Sequence, residues 1–137
     1  MQNETSVYLV LAGFPCDPDE ITTATGLHPH QVWRVGDQIG PTIRRREDNG
    51  WKISAGLPGS VGLNNQVNAL LRRIEPAIEY ISELGKNCFM EIACVLRAYE
   101  YIPEMHLERT TIRQVAMLGA DLDIDFYYLV EETQGGE

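Results

Sequence analysis

Cations are scarce in this chain. Eleven lysines and arginines stand against twenty aspartates and glutamates, a formal net charge of −9. Phosphate backbones and anionic membrane surfaces are held by clustered Lys and Arg. The balance therefore argues against a nucleic-acid or membrane binder, and a protein partner is expected to be basic. Cysteine is scarce too. Cys16, Cys88 and Cys94 are odd in number and lack CxxC spacing, which predicts reduced thiols, as in cytosolic proteins. Met1-Gln2-Asn3-Glu4 has no positive leader, and the apolar run Val7 to Phe14 is too short to cross a bilayer before Pro15 and Asp17 end it. A cytoplasmic protein is expected.

Catalytic signatures are missing as well. There is no GxSxG and no local Cys–His pair. The glycine-rich stretch Gly56-Leu57-Pro58-Gly59-Ser60-Val61-Gly62 has no lysine and no phosphate-loop frame. No catalytic residue and no cofactor can be named on these grounds. An enzyme stays possible and is not favoured.

A length of 137 residues suits one domain, large enough to bury about two-thirds of its unfolded surface without a metal or disulfide. Val7 to Phe14 predicts a central strand. Asp17-Pro18-Asp19-Glu20 predicts a helix start, with Asp17 as cap, Pro18 at the first helical position and Glu20 reaching back. Ile21, Ala24 and Leu27 form its inner face and Gly26 its stop. Gln31 to Gly36 and Trp51 to Ala55 predict two strands, joined by a long exposed segment. Leu63 to Leu84 carries the strongest helical period, capped by Asn64 or Asn65 and kinked or divided at Pro76. Cys88 to Tyr101 predicts a long strand. It carries Glu91, Arg97, Tyr99 and Tyr101 on one face and Met90, Ile92, Cys94 and Leu96 on the other. A helix over about Glu108 to Leu118 follows, with Ile112, Val115, Ala116 and Leu118 inward, then a strand from Asp121 to Val130.

The order is β-α-β-β-α-β-α-β. It predicts a ferredoxin-like α+β fold: a mostly antiparallel sheet of about five strands, with helices on one face. The two ends, each strand-helix-strand, suggest an internal duplication. Residues 1–130 read as a single α+β domain and 131–137 as a disordered acidic tail.

A set of these residues is shared with a known family. Gly13-Phe14, Asp17-Pro18, Ile21-Thr22, Gly26-Leu27, Pro29, Trp33-Arg34 with Gly36-Asp37, Trp51, Leu118-Gly119 and Leu122-Asp123-Ile124-Asp125 together resemble the bacterial domain of unknown function DUF4279. The most specific part is Trp-Arg-x-Gly-Asp, and the likeness runs from about Val7 to Tyr128. The resemblance implies a small α+β domain and brings no reaction and no catalytic residues.

Several constellations are candidates for binding. Asp121, Asp123 and Asp125 alternate along a strand and so share a face. Like charges so close call for solvent screening, for arginine partners such as Arg34, Arg44 to Arg46 or Arg97, or for a hard cation such as Mg²⁺ or Ca²⁺. With Glu91, Arg97, Tyr99 and Tyr127 they would make an acidic, aromatic outer sheet face. That face suits a basic protein or a second copy of the chain, and its charge is wrong for RNA. Trp33, Arg34, Asp37 and Trp51 mark the central hairpin. Arg34 is suited to a bidentate carboxylate pair and Asp37 to a turn bond; a small pocket between the tryptophans is the functional alternative. His28-Pro29-His30 lacks further metal ligands at a recognisable spacing, and His106 has no evident partner. The leading expectation is a non-enzymatic interaction domain, with an immunity or antitoxin type as its concrete form. The alternative is a small-ligand binder or unrecognised enzyme using the hairpin pocket.

Overall fold

A computed structural model describes residues 2–129. Strand β1 (Glu4–Ala12) leads to helix α1 (Pro18–Thr25), strands β2 (Gln31–Trp33) and β3 (Gly50–Ser54), and helix α2 (Leu63–Ile74). A 3-10 turn (Glu75–Ala77) links α2 to α3 (Ile78–Gly85). Strand β4 (Phe89–Ala98), helix α4 (Arg109–Leu118) and strand β5 (Asp121–Tyr128) complete the chain. The five-stranded sheet runs β2-β3-β1-β4-β5. All neighbours are antiparallel except β4 and β5, which are parallel. The sheet is thus mixed and mostly antiparallel, as an α+β chain of this pattern predicts.

β1 sits at the centre because its alternation supplies the core. Val7, Leu9 and Leu11 are buried, while Ser6, Tyr8 and Val10 on the opposite face are half-buried. The apolar run is therefore covered on one side only. The helices lie on the inner side, where Ile21, Val67, Leu70, Ile74, Ile81, Val115 and Leu118 close over Leu9, Trp51, Ile53, Ile92 and Leu96. At the rim of this core Gln66 is buried, and its Nε2 donates to the carbonyls of Thr5 (2.6 Å), Pro58 (3.2 Å) and Val61 (3.0 Å). One amide thus ties β1 to the glycine-rich loop and gives buried carbonyls a donor in the interior.

The division expected at Pro76 is found: α2, the 3-10 turn and α3 follow one another because Pro76 has no N–H to continue the ladder. Several other expectations are corrected. Asn64 and Asn65 do not cap α2; Gly62 is its N-cap residue and makes no side-chain cap bond. Asn64 instead accepts from the N–H of Glu108 and the hydroxyl of Thr111, so it holds the start of α4. Buried Thr111 takes the place expected of Ile112, which is exposed with Ala116. Ala24 is exposed too, and Glu20 makes no side-chain bond back to its cap. Asp17 and Pro18 do serve as N-cap and first helical residue, and Gly26 and Gly119 end their helices at positive φ. β4 stops at Ala98: Asn3 accepts from the N–H groups of Tyr99 and Glu100 and donates to the carbonyl of Tyr101, bending the chain away. Tyr99 and Tyr101 therefore lie beyond the strand.

The two strand-helix-strand ends differ in topology. β1 and β2 are separated by β3, whereas β4 and β5 are neighbours. Val130 and the tail 131–137 lie outside the described residues.

Candidate functional site

Strand order decides what meets on the open face. Apart from Gly50, which the Trp33 ring covers, its residues are half-buried or exposed, and no helix among the described residues covers them. One row crosses the sheet as Gln31, Lys52, Val10, Glu91 and Asp121. Lys52 and Glu91 are thus separated by one strand only. On the β2–β3 side stand Lys52, His30, Trp33 and the arginines of the hairpin. On the β4–β5 side stand Glu91, Asp121, Asp123, Asp125, Arg97 and Tyr127. The face changes sign from one edge to the other.

The basic side is built by a small ladder. Gly36, at φ 89°, donates to the carbonyl of Arg46, Arg46 donates to Asp37, and Ile39 donates to Arg44. The segment expected to be a plain connection is therefore a short antiparallel excursion, with Gln38 bridged to Arg45. It carries Arg46 back over the indole of Trp33, 4.3 Å from the ring centroid. The indole lies against Gly50 on the neighbouring strand, in the space that a Cβ there would fill. Arg44, Arg45 and Arg46, with Glu47 and Asp48 beside them and Trp33, Ile39 and Ala12 as the apolar wall, line an open cleft of about 490 Å³. Lys52 sits 4.0 Å over the ring of Tyr8; burial first, then the charge of Arg46, lowers its pKa.

Arg34 is committed elsewhere. Its guanidinium donates to both carboxylate oxygens of Asp17, at 2.9 and 3.0 Å, and reaches Asp19 at 3.1 Å. The hydrogen bond from Arg34 holds the Asp17 carboxyl below its ordinary range. Asp37 accepts from the backbone N–H of Arg34 at 2.7 Å, the turn bond expected of it. Arg34 therefore pins the start of α1 to the end of β2. Trp51 is fully buried on the inner face, and its indole N–H donates to Thr22 of α1 at 3.0 Å. Trp33 belongs to the outer row through Gly50, and Trp51 to the inner row through Leu11. The tryptophans lie on opposite faces, and no pocket forms between them. The expectation of such a pocket placed the two residues by sequence proximity and ignored that strand pairing puts Trp33 opposite Gly50 and Trp51 opposite Val32.

On the acidic side, Asp121, Asp123 and Asp125 do share one face, in register with Glu91, Ala93 and Val95. Among the described residues they form no ion pair. Arg97 lies over the ring of Tyr127, 5.7 Å from its centroid. The hairpin arginines expected as counter-charges stand at the other edge. Four strand spacings separate β2 from β5, about 19 Å, more than twice the Debye length of about 8 Å at physiological salt. Glu91 registers the excess: burial, then Asp123, Asp121 and Asp125, raise its pKa. Burial, with Asp123 and Glu91 adding, pushes the Cys94 thiol up to about 12, so it is an inert core group. Cys16, Cys88 and Cys94 are free thiols. Among the described residues no three His, Cys, Asp or Glu side chains gather as a metal site, and no helix is long and apolar enough to cross a membrane.

The raised pKa of Glu91 carries a pH prediction. An acid whose folded pKa lies above its unfolded value binds more protons when folded, so its contribution to stability falls as pH rises from about 4.5 through the folded value. Glu91→Gln is then expected to be more stable than the parent at pH 7, by about 0.5 kcal/mol after solvent screening. The difference should close as the pH is lowered below the ordinary glutamate range. Thermal melts of both proteins across pH 3.5–7.5, a range of about four units around the ordinary glutamate pKa, measure it. A gap that widened at low pH would contradict the assignment.

No curated protein and no solved structure matches the chain. A family model does, over residues 3–129. That span takes in every element from β1 to β5 and both sides of the open face, and by it the chain belongs to the family described as Domain of unknown function (DUF4279).

Proposed function

We propose that this is a non-enzymatic protein-interaction domain whose contact surface is the β4–β5 side of the open sheet face, and that its partner is a basic protein. The observation that carries the reading is the row Asp121, Asp123 and Asp125 beside Glu91, with no cation of the described residues paired to it. Carboxylates standing side by side without a cation are complementary to a partner's Lys and Arg. An immunity- or antitoxin-like role, blocking a basic toxin in the cytoplasm, is the concrete form of this reading. The strand order β2-β3-β1-β4, antiparallel throughout, supports a ferredoxin-like description of the chain up to β4, with β5 appended.

Co-expression with the product of the adjacent gene, followed by purification on one tag, is the test. The parent is expected to retain its partner at low salt and release it at high salt. The variant D121K/D123K/D125K, altered only at exposed positions, is expected to fold and to retain none. Undiminished retention by that variant, or no retained partner from either flanking gene, defeats the reading.

A second reading rests on the arginine cleft. Arg44, Arg45 and Arg46 make no ion pair among the described residues, outnumber the Glu47 and Asp48 carboxylates that also line the cleft, and stand beside Trp33. This arrangement suits a small anionic, planar ligand. Stabilisation of the protein by a metabolite in a thermal-shift screen, lost in Arg45→Ala, would favour it over the protein partner.

A further inference from the structure

β5 ends the sheet, and its far edge has no strand beside it among the described residues. All eight of its residues are exposed. The inner row is the unusual one. Leu122, Ile124 and Phe126 stand in register with Ile92, Cys94 and Leu96 of β4. The β4 residues are fully buried, whereas Leu122, Ile124 and Phe126 are 38–40% exposed. The helical layer stops short of the edge, so the strand presents an uncovered apolar row, an alternating acidic row and unpaired backbone groups. Such an edge is a template for one more strand.

The charges choose among occupants. A second copy pairing antiparallel about Ile124 would set Asp123 against Asp125 of the other chain on the same face, and like charges directly opposite are destabilising. The chain's own last residues, 130–137, bring Glu131, Glu132 and Glu137 and no cation. An extended segment with Lys or Arg at alternate positions satisfies both rows at once: its basic side chains face Asp121, Asp123 and Asp125, and its apolar ones continue the inner row.

We propose that β5 is an augmentation edge that takes an extended segment of alternating basic and apolar residues from the partner as a sixth strand. This rests on the reading of the acidic face as a protein-binding surface and names how the partner is held.

The test uses two synthetic peptides of identical composition, one alternating Lys with Val or Ile, the other with its lysines in one block. Fluorescence anisotropy with the full chain gives affinity, and amide hydrogen exchange gives the mode. The alternating peptide is expected to bind about tenfold more tightly than the blocked one, since several cross-strand pairs add. It should slow exchange within residues 121–128 and lose most of its affinity for D121N/D123N/D125N. Equal binding of the two peptides, abolished in that variant but without protection of β5, would overturn the augmentation edge and leave the acidic face standing as the partner surface. Binding of neither peptide, or a free protein that sediments as a dimer with β5 already protected, would also overturn it.

Discussion

Trp51→Ala is expected to lower stability by about 3–5 kcal/mol, the range for deleting a large buried aromatic. Trp51 is the largest fully buried side chain. Its ring fills the core between β3 and α1, and its indole N–H is the partner of the Thr22 hydroxyl. Truncation leaves a cavity where the short helix α1 meets the sheet, and a hydroxyl without its donor. A domain of this size is stable by only about 5–15 kcal/mol, so the loss is a large share of the total. In a thermal melt it corresponds to a fall of about 10–20 °C. Trp51→Phe keeps most of the ring and loses the hydrogen bond, which sets its cost nearer 1–2 kcal/mol. Equal destabilisation by the two substitutions would mean that the hydrogen bond, and not the packing, dominates at this site.

Gly50→Val is the second large effect, and it arises on the other face of the same strand. Trp33 lies against the bare backbone of Gly50, in the space a Cβ would occupy. The backbone there is ordinary strand, without a positive φ, so the glycine is required by the close approach of the ring and not by its own conformation. Any side chain must expel the indole, and Arg46 then loses the surface on which it stacks. Overpacking of this kind costs up to about 3 kcal/mol. In a Trp51→Phe background the remaining tryptophan reports its own environment. Gly50→Val is expected to shift Trp33 emission to the red and to free the hairpin arginines. Unchanged emission and stability would show that the strands spread to accept the side chain.

These substitutions separate two functions of the central hairpin. Its inner face, through Trp51, belongs to the core. Its outer face, through Gly50, Trp33 and Arg46, builds the basic side of an open surface whose acidic side is supplied at the far edge. Arg34 joins neither, because Asp17 and Asp19 hold it at the start of α1.

What the sequence by itself determined is local. The helix starting at Pro18 could be read from Asp17 and Pro18, and its end from Gly26, because caps and stops act within one turn. The break at Pro76 follows from a missing N–H. The alternation in β4 and β5 placed Asp121, Asp123 and Asp125 on one face and Leu122, Ile124 and Phe126 on the other, because side chains in a strand alternate regardless of its neighbours. The family, too, was legible, from residues that sit mostly at turns and caps. Only the tertiary structure decided which strands are neighbours. Period and propensity say which face a residue occupies, and not which strand lies beside it. β1 pairs with β4 across nearly the whole chain, Glu4 facing Arg97, and no local signal specifies that register. It is this pairing, with β5 added in parallel, that sets Arg44, Arg45 and Arg46 and the three aspartates at opposite edges of the sheet. Seen from the sequence they were candidate partners for each other. In the fold they lie beyond screening distance, and the charge of each is left to face something outside the chain.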